Sequence, residues 1–239
     1  MEITAEEAAR LATLLEYDIL DSEAEEAFDR LAEIATDLFQ VPMAAVSLVD
    51  GYRQWFKSRV GLPLQETPRE FAFCHHAIRG DRVFVVADAA RDRRFAANPL
   101  VIKEPAIRFY AGAPLLTADG QALGTICVMD RRVRRPLSPR EKRMLQKLAA
   151  MVMEQIELRR HVNRVRASVQ RALRLAGARS PAHAECQKAL KALRDLQALA
   201  ARAGRQRARL ITPEPAKPRR RTGSGGGERR AERRGQARK

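Results

Sequence analysis

With 239 residues, 45% of them apolar, and a net charge of +16, the chain has room for one ordinary domain with extensions or two small ones. Its three cysteines, Cys74, Cys127 and Cys186, are odd in number and contain no CxxC pair. That excludes a disulfide framework or a structural zinc site, predicts no metal, and points to a reduced, cytoplasmic setting. The start, MEITAEEAARLATLLEYDIL, is acidic without an apolar core, so it does not read as a signal peptide, and no apolar run approaches the ~18 residues that span a bilayer.

The charge is unevenly placed. Residues 1–139 carry 17 basic against 21 acidic side chains, residues 140–204 carry 15 against 5, and residues 205–239 carry 13 against 3. A mildly acidic globular part therefore precedes a basic stem and a basic tail.

Thr4 to Tyr17 reads as an amphipathic helix capped by Thr4, and Ala24 to Phe39 repeats the pattern. MAAVSLVD (43–50) and QWFKSRVG (54–61) form a predicted strand pair around Gly51. FAFCHHAIRG (71–80) contains a short helix, VFVVAD (83–88) a strand, and an irregular segment runs on to Pro105. Two apolar runs between Ile107 and Asp130 meet at Asp119-Gly120, a strong hairpin signal because glycine supplies the positive φ of a tight turn. Both alternating sets of this hairpin are apolar, which predicts a sheet covered on both faces.

Ser138-Pro139-Arg140-Glu141 has the form of a helix start, and no Gly or Pro follows until Gly177. Met144, Leu148, Met151, Leu158, Val162, Val165 and Val169 fall at alternating four-three spacing with Gln155 interrupting, a coiled-coil-like seam that predicts a homodimer. Gly177 suits a C-terminal cap, and Ser180-Pro181 starts a second helix to about Gly204. Residues 205–239 replace core residues with Pro, Gly, Ser and Arg and read as disordered.

The order of elements, with RLATLLEYDILDS, AFDRLAEIATDLFQVPMAAVSLVD, QWFKSRVGL, FAFCHHAI, VADAARDRRFAANPLV, IRFYAGAPL and LGTICVMD, resembles a bacterial GAF sensor domain over residues 5–158. The resemblance implies an α+β fold: an antiparallel sheet with helices on one face and a ligand pocket on the other. It leaves the ligand and any cofactor open, since GAF pockets hold cyclic nucleotides, amino acids, tetrapyrroles or nothing. Residues 138–204 form the long helix and hairpin, and ELRRHVNRVRASVQ with the rest of 157–204 resembles the dimerisation hairpin of HWE-type histidine kinases. That resemblance puts Arg160 at the phosphotransfer position and His161 beside it. A helical step of about 100° would turn His161 away from the solvent-facing site. The 35-residue tail is too short for an ATP-binding domain of on the order of a hundred residues, so no autokinase is expected.

The pocket-forming segments contain Trp55, Phe56, Phe73, Cys74, His76, Phe95, Asn98, Arg108 and Tyr110, which are the candidate ligand contacts. Core packing explains most of the aromatics equally well, and the charged residues could instead pin the loop. Cys74 at the start of a short helix is also similar to the cysteine of free methionine sulfoxide reductases, which are GAF enzymes. No second cysteine lies in ADAARDRRF, Cys127 belongs to a core strand, and Cys186 lies in the hairpin, so none is expected near Cys74. The expectation is a sensor without catalytic activity of its own, signalling through a dimeric stalk to a separate output protein. The alternatives are a reductase built on Cys74, or a tether binding nucleic acid or an anionic surface through residues 205–239.

Overall fold

The structure, a computed structural model, describes residues 4–176 and 180–211. Helices α1 (Ala5–Glu16) and α2 (Glu26–Phe39) come first, followed by strands β1 (Met43–Val49), β2 (Arg53–Val60) and β3 (Glu66–Pro68). The short helix α3 (Phe73–Ala77), strand β4 (Phe84–Val86) and a four-residue helix α4 (Pro99–Ile102) lead into the hairpin β5 (Phe109–Leu116) and β6 (Ala122–Asp130). Two long helices close the chain, α5 (Pro139–Leu175) and α6 (Pro181–Ile211). The strands form one six-stranded antiparallel sheet in the order β3-β2-β1-β6-β5-β4.

Every residue of β1 and β6 is buried, as expected of central strands covered on both sides. Strand alternation sends Ala44, Val46 and Leu48 of β1 toward α1, α2 and α5, and Met43, Ala45 and Val49 toward α3 and the 95–107 segment. Close pairing of β1 with β6 depends on Gly124, where a Cβ would stand 1.9 Å from the Ser47 carbonyl oxygen. The predicted turn is present: Gly120 has φ +85°, and the Thr117 hydroxyl accepts from the Gln121 amide at 2.9 Å.

On the helical face, Phe28, Leu31 and Ala35 of α2 pack with Leu145, Leu148, Ala149, Val152, Met153 and Ile156 of α5. Helix α5 starts with the capping box read from the sequence: the Glu141 amide donates to Ser138 Oγ at 3.3 Å and the Ser138 amide to Glu141 Oε2 at 2.7 Å. Helix α2 has no such cap, because Glu25 at its N-cap is engaged elsewhere. Its Oε1 accepts from Lys57 Nζ of β2 and from Arg159 Nε of α5, both at 2.8 Å. The Lys57 side chain is fully buried and also donates to Ser22 Oγ and the Glu23 carbonyl, so one carboxylate joins sheet, helix layer and stem.

The seam divides differently from its heptad reading. Leu148 is buried and Met144 packs against the same core, so these positions face the sheet rather than a partner helix. Met151, Leu158 and Val165, seven residues apart, remain exposed. Helix α6 packs against α5 and touches α2, and it continues through Ile211, seven residues into the segment read as tail. Gly177 and residues 212–239, on which the cap and most of the disordered tail were placed, lie outside the described residues. Among the described residues, no helix is long and apolar enough to cross a membrane.

Candidate functional site

The sheet face away from the long helices is roofed by α3 and the segment through α4. Phe73 lies between two other rings, 4.1 Å from Phe95 and 5.1 Å from Tyr110 between centroids, both stacked. His76 meets Phe95 edge-on at 4.9 Å, and the Arg94 guanidinium covers Phe84 and Phe95 while paired with Asp92. These aromatics fill most of the expected pocket. What is left is a cavity of about 20 Å³ between α3, β2, β3 and the 100–107 segment. Phe56, Phe73, Cys74 and Tyr110 line it, together with Gln54, Thr67 and Met129.

The other candidates are used differently. Asn98 caps α4 through the Leu100 amide and donates to the Phe71 carbonyl, and Arg108 donates to the Val101 carbonyl, so both hold backbone. Trp55 packs against the helical core, on the opposite side of the sheet from the cavity, because its neighbour Phe56 occupies the cavity side and successive strand residues alternate.

Cys74 is the chemical centre of this face. It is 1% exposed, and three hydroxyls donate to its sulfur: Thr125 Oγ1 at 3.1 Å, Ser47 Oγ at 3.2 Å and the Tyr110 phenol at 3.2 Å. The expectation that no second cysteine is near is overturned, since Cys127 Sγ lies 3.9 Å away. Cys127 sits on β6 in the same sheet face as Ala45, its register partner on β1, and α3 lowers Cys74 onto it. Ser47 and Thr125 escaped the sequence reading because a Ser or Thr inside an apolar strand looks like packing, and Cys127 was assigned to a core strand without its distance to Cys74 being legible. Burial pushes the Cys74 thiol up, but hydrogen bonding with Cys127, Ser47, Thr125 and Tyr110 outweighs it and holds the thiol below its usual value. The hydrogen bond to Cys74 and burial raise Cys127, and burial followed by the charge at Cys74 raises Tyr110.

At the far end of α3, an open groove of about 600 Å³ is lined by Glu7, Arg10, Arg69, His75 and Arg79, among others. The Glu7 carboxylate takes Arg10 and Arg69, and although burial alone would raise it, those hydrogen bonds hold it at about 2. His75 Nδ1 accepts from Arg69 Nε at 3.0 Å while Nε2 faces Arg79 at 2.8 Å. Burial, then the charges of Arg69 and Arg79, lower the His75 ring to about 4.

On α5, the Arg160 guanidinium stacks over the Tyr17 ring at 4.3 Å and pairs with Glu16, while His161 is the exposed residue of the two. This reverses the expected orientation: contacts with α1 draw Arg160 inward and leave His161 facing solvent.

The family model described as "GAF domain" matches residues 23–156, more than half of the chain, and the chain belongs to the GAF domain family. A stretch of 158 residues, 66% of this chain, is 46% identical to the cyclic di-GMP phosphodiesterase PA2567 of Pseudomonas aeruginosa. The match spans 27% of that relative's length. The expectation of a chain without an enzymatic role is corrected by this finding, since the relative is named as an enzyme. The family model ends at residue 156, ahead of the 157–204 segment.

Solved structures similar to this chain include the following three. The GAF domain of an Acinetobacter phosphoenolpyruvate-protein phosphotransferase is 15% identical, with 69% of this chain and 99% of that one covered and a TM-score of 0.47. The free methionine-R-sulfoxide reductase of Neisseria meningitidis, solved with its substrate, is 17% identical over 67% and 96%, with a TM-score of 0.47. The blue-light absorbing form of the Thermosynechococcus elongatus PixJ GAF domain is 17% identical over 71% and 98%, also at 0.47.

Proposed function

We propose that this chain is a signal-input module whose GAF domain reads a small molecule, or the redox state of Cys74, and passes that state along α5 to an output protein or domain. The name of the relative PA2567 supplies the class of output: turnover of cyclic di-GMP by a phosphodiesterase. The supporting observation is mechanical continuity between the cavity and the stem. Cys127 and Thr125, beside Cys74, lie on β6, which ends at Asp130. Buried Asp130 accepts from Arg134 Nε at 2.7 Å, and Arg134 reaches on to the Phe39 and Gln40 carbonyls at the end of α2. Five residues later α5 begins. Through Arg134 the irregular segment 131–138 is tied back to the end of α2, so a shift at the end of β6 is felt in the helix layer.

The cavity also restricts the input. A drug-sized ligand needs about 300 Å³ or more, whereas this space is about 20 Å³. Anything larger than a few atoms requires α3 and the stacked Phe73 to move. The dimer surface of this reading is the exposed α5 stripe of Met151, Leu158 and Val165, whose seven-residue spacing keeps one face toward a second copy.

Sedimentation and fluorescence test it together. Trp55, the one tryptophan, sits on the helical face and reports on that layer. Wild type is expected to sediment as a dimer, Leu158→Glu with Val165→Glu as a monomer, and Trp55 emission to change when the Cys74 face is oxidised or a ligand is bound. A monomeric wild type whose Trp55 ignores both inputs would refute the proposal.

A further inference from the structure

The cavity beside Cys74 contains two polar atoms that the fold leaves without a partner. Gln54 is 5% exposed and Thr67 is 4% exposed, both line the cavity, and neither Gln54 Oε1 nor Thr67 Oγ1 has a hydrogen-bond partner. A buried oxygen left unsatisfied keeps its full desolvation penalty, so two of them on residues lining one cavity indicate an occupant that donates hydrogen bonds. A volume of about 20 Å³ exceeds the ~10–15 Å³ that one water needs and excludes anything much larger. Cys74 and Tyr110 line the same cavity, with the Tyr110 hydroxyl on the Cys74 sulfur and Cys127 Sγ 3.9 Å from it.

We propose that this cavity admits hydrogen peroxide and that the peroxide converts Cys74 and Cys127 into a reversible disulfide. The site deepens the redox form of the sensor reading above and rests on it only for its signalling consequence. Hydrogen peroxide has two O–H donors, one for Gln54 Oε1 and one for Thr67 Oγ1. The hydroxyls of Ser47, Thr125 and Tyr110 all donate to the Cys74 sulfur and so favour its thiolate form, the attacking species, over the thiol. Thiolate sulfur attacks one peroxide oxygen. The S–O bond forms, the O–O bond breaks, and the departing hydroxide takes up the proton released by Cys74 to leave as water. Cys74 is then a sulfenic acid, oxidised by two electrons.

Cys127 lies 3.9 Å from that sulfur. Its sulfur attacks Cys74, the S–S bond forms and the S–O bond breaks, and the second hydroxide leaves as water with the Cys127 proton. The sum is two thiols and one hydrogen peroxide giving one disulfide and two waters. The sulfurs must close from 3.9 Å to about 2.05 Å. That displacement draws α3 against β6 and takes the acceptor away from three hydroxyls, two of them on the strands β5 and β6 that support the stem. The sulfur of Cys186 is on α6 and takes no part.

The test uses the full chain carrying Cys186→Ser, treated while folded with one equivalent of hydrogen peroxide, then denatured for thiol counting, intact mass and peptide mapping. Both remaining thiols are expected to disappear together, with the mass falling by two hydrogens, a single cross-link joining the Cys74 and Cys127 peptides, and dithiothreitol restoring the starting mass. Persistence of both thiols, or added oxygen on Cys74 with Cys127 still free, would overturn the site. Thr67→Val preserves shape but removes the oxygen and is expected to slow oxidation about tenfold, the equivalent of one hydrogen bond. An unchanged rate would overturn the peroxide cavity even if the disulfide forms. Trp55 emission separates the two proposals: a disulfide that leaves it unchanged upholds this site and refutes redox signalling through the stem, whereas no disulfide alongside a ligand response does the reverse.

Discussion

Acidification should loosen the corner where α1, the Arg69 segment and α3 meet, and His75→Gln isolates the cause. The folded ring titrates at about 4 against 6.5 when unfolded, so between those values the unfolded chain binds the extra proton. Stability from neutral His75 is therefore fully present above pH 6.5 and is lost as pH falls through about 4. At about 1.4 kcal/mol per pKa unit the drop would be worth roughly 3 kcal/mol, and solvent screening of the half-exposed ring reduces that to about 1–2 kcal/mol. Glutamine can keep an acceptor for Arg69 without titrating. Urea unfolding of wild type and variant across pH 8 to 4 gives the difference between them, which cancels His76 and the carboxylates common to both. The wild-type advantage should be constant near pH 7.5 and shrink by about 1–2 kcal/mol toward pH 4. A difference independent of pH would refute the placement of His75 between Arg69 and Arg79. Glu7 follows with the opposite chemistry and the same sign: its folded value of about 2 against 4.5 means that its contribution is present above pH 4.5 and is lost only as pH falls through about 2.

Three further outcomes are expected. Tyr110→Phe removes one of three hydroxyls from Cys74 and should raise that thiol by about one pKa unit, read from thiolate ultraviolet absorbance against pH, because a hydrogen bond to a charged group is worth about 1.5–3 kcal/mol. Gly124→Ala places a methyl against the backbone of Ser47 and Leu48 and should destabilise the fold by about 3 kcal/mol. Gly120→Ala, in open space at positive φ, should cost only about 1 kcal/mol, both by urea titration. Lys57→Met and Arg159→Met, each removing one partner of Glu25, should couple by about 0.5–1 kcal/mol in a double-mutant cycle, a modest value because Glu25 is 40% exposed.

Much of this protein was legible without coordinates. Continuous apolar runs announced central strands buried on both faces, Asp119-Gly120 announced the hairpin turn, and Ser138 to Glu141 announced the start of the stem. Each is a local rule in which a few neighbouring residues satisfy their own backbone. The aromatic roof was also foreseeable as a set of segments, although the filling of the pocket was not. Stacking of Phe73 between Phe95 and Tyr110 depends on three distant segments arriving at one height above the sheet.

What tertiary structure alone decided is direction and proximity. Trp55 and Phe56 are adjacent in sequence, yet one belongs to the helical core and the other to the cavity, a choice set by strand register. Leu148 follows the heptad but is buried in the GAF core, because the sheet claims that face of α5 before a partner helix can. Cys74 and Cys127 are 53 residues apart, and only the docking of α3 on β6 brings their sulfurs within 3.9 Å. Sequence pattern fixes which faces are apolar, since that is a matter of period along the chain. It does not fix which two polar atoms meet inside, since that depends on the closing of long loops over a shared sheet.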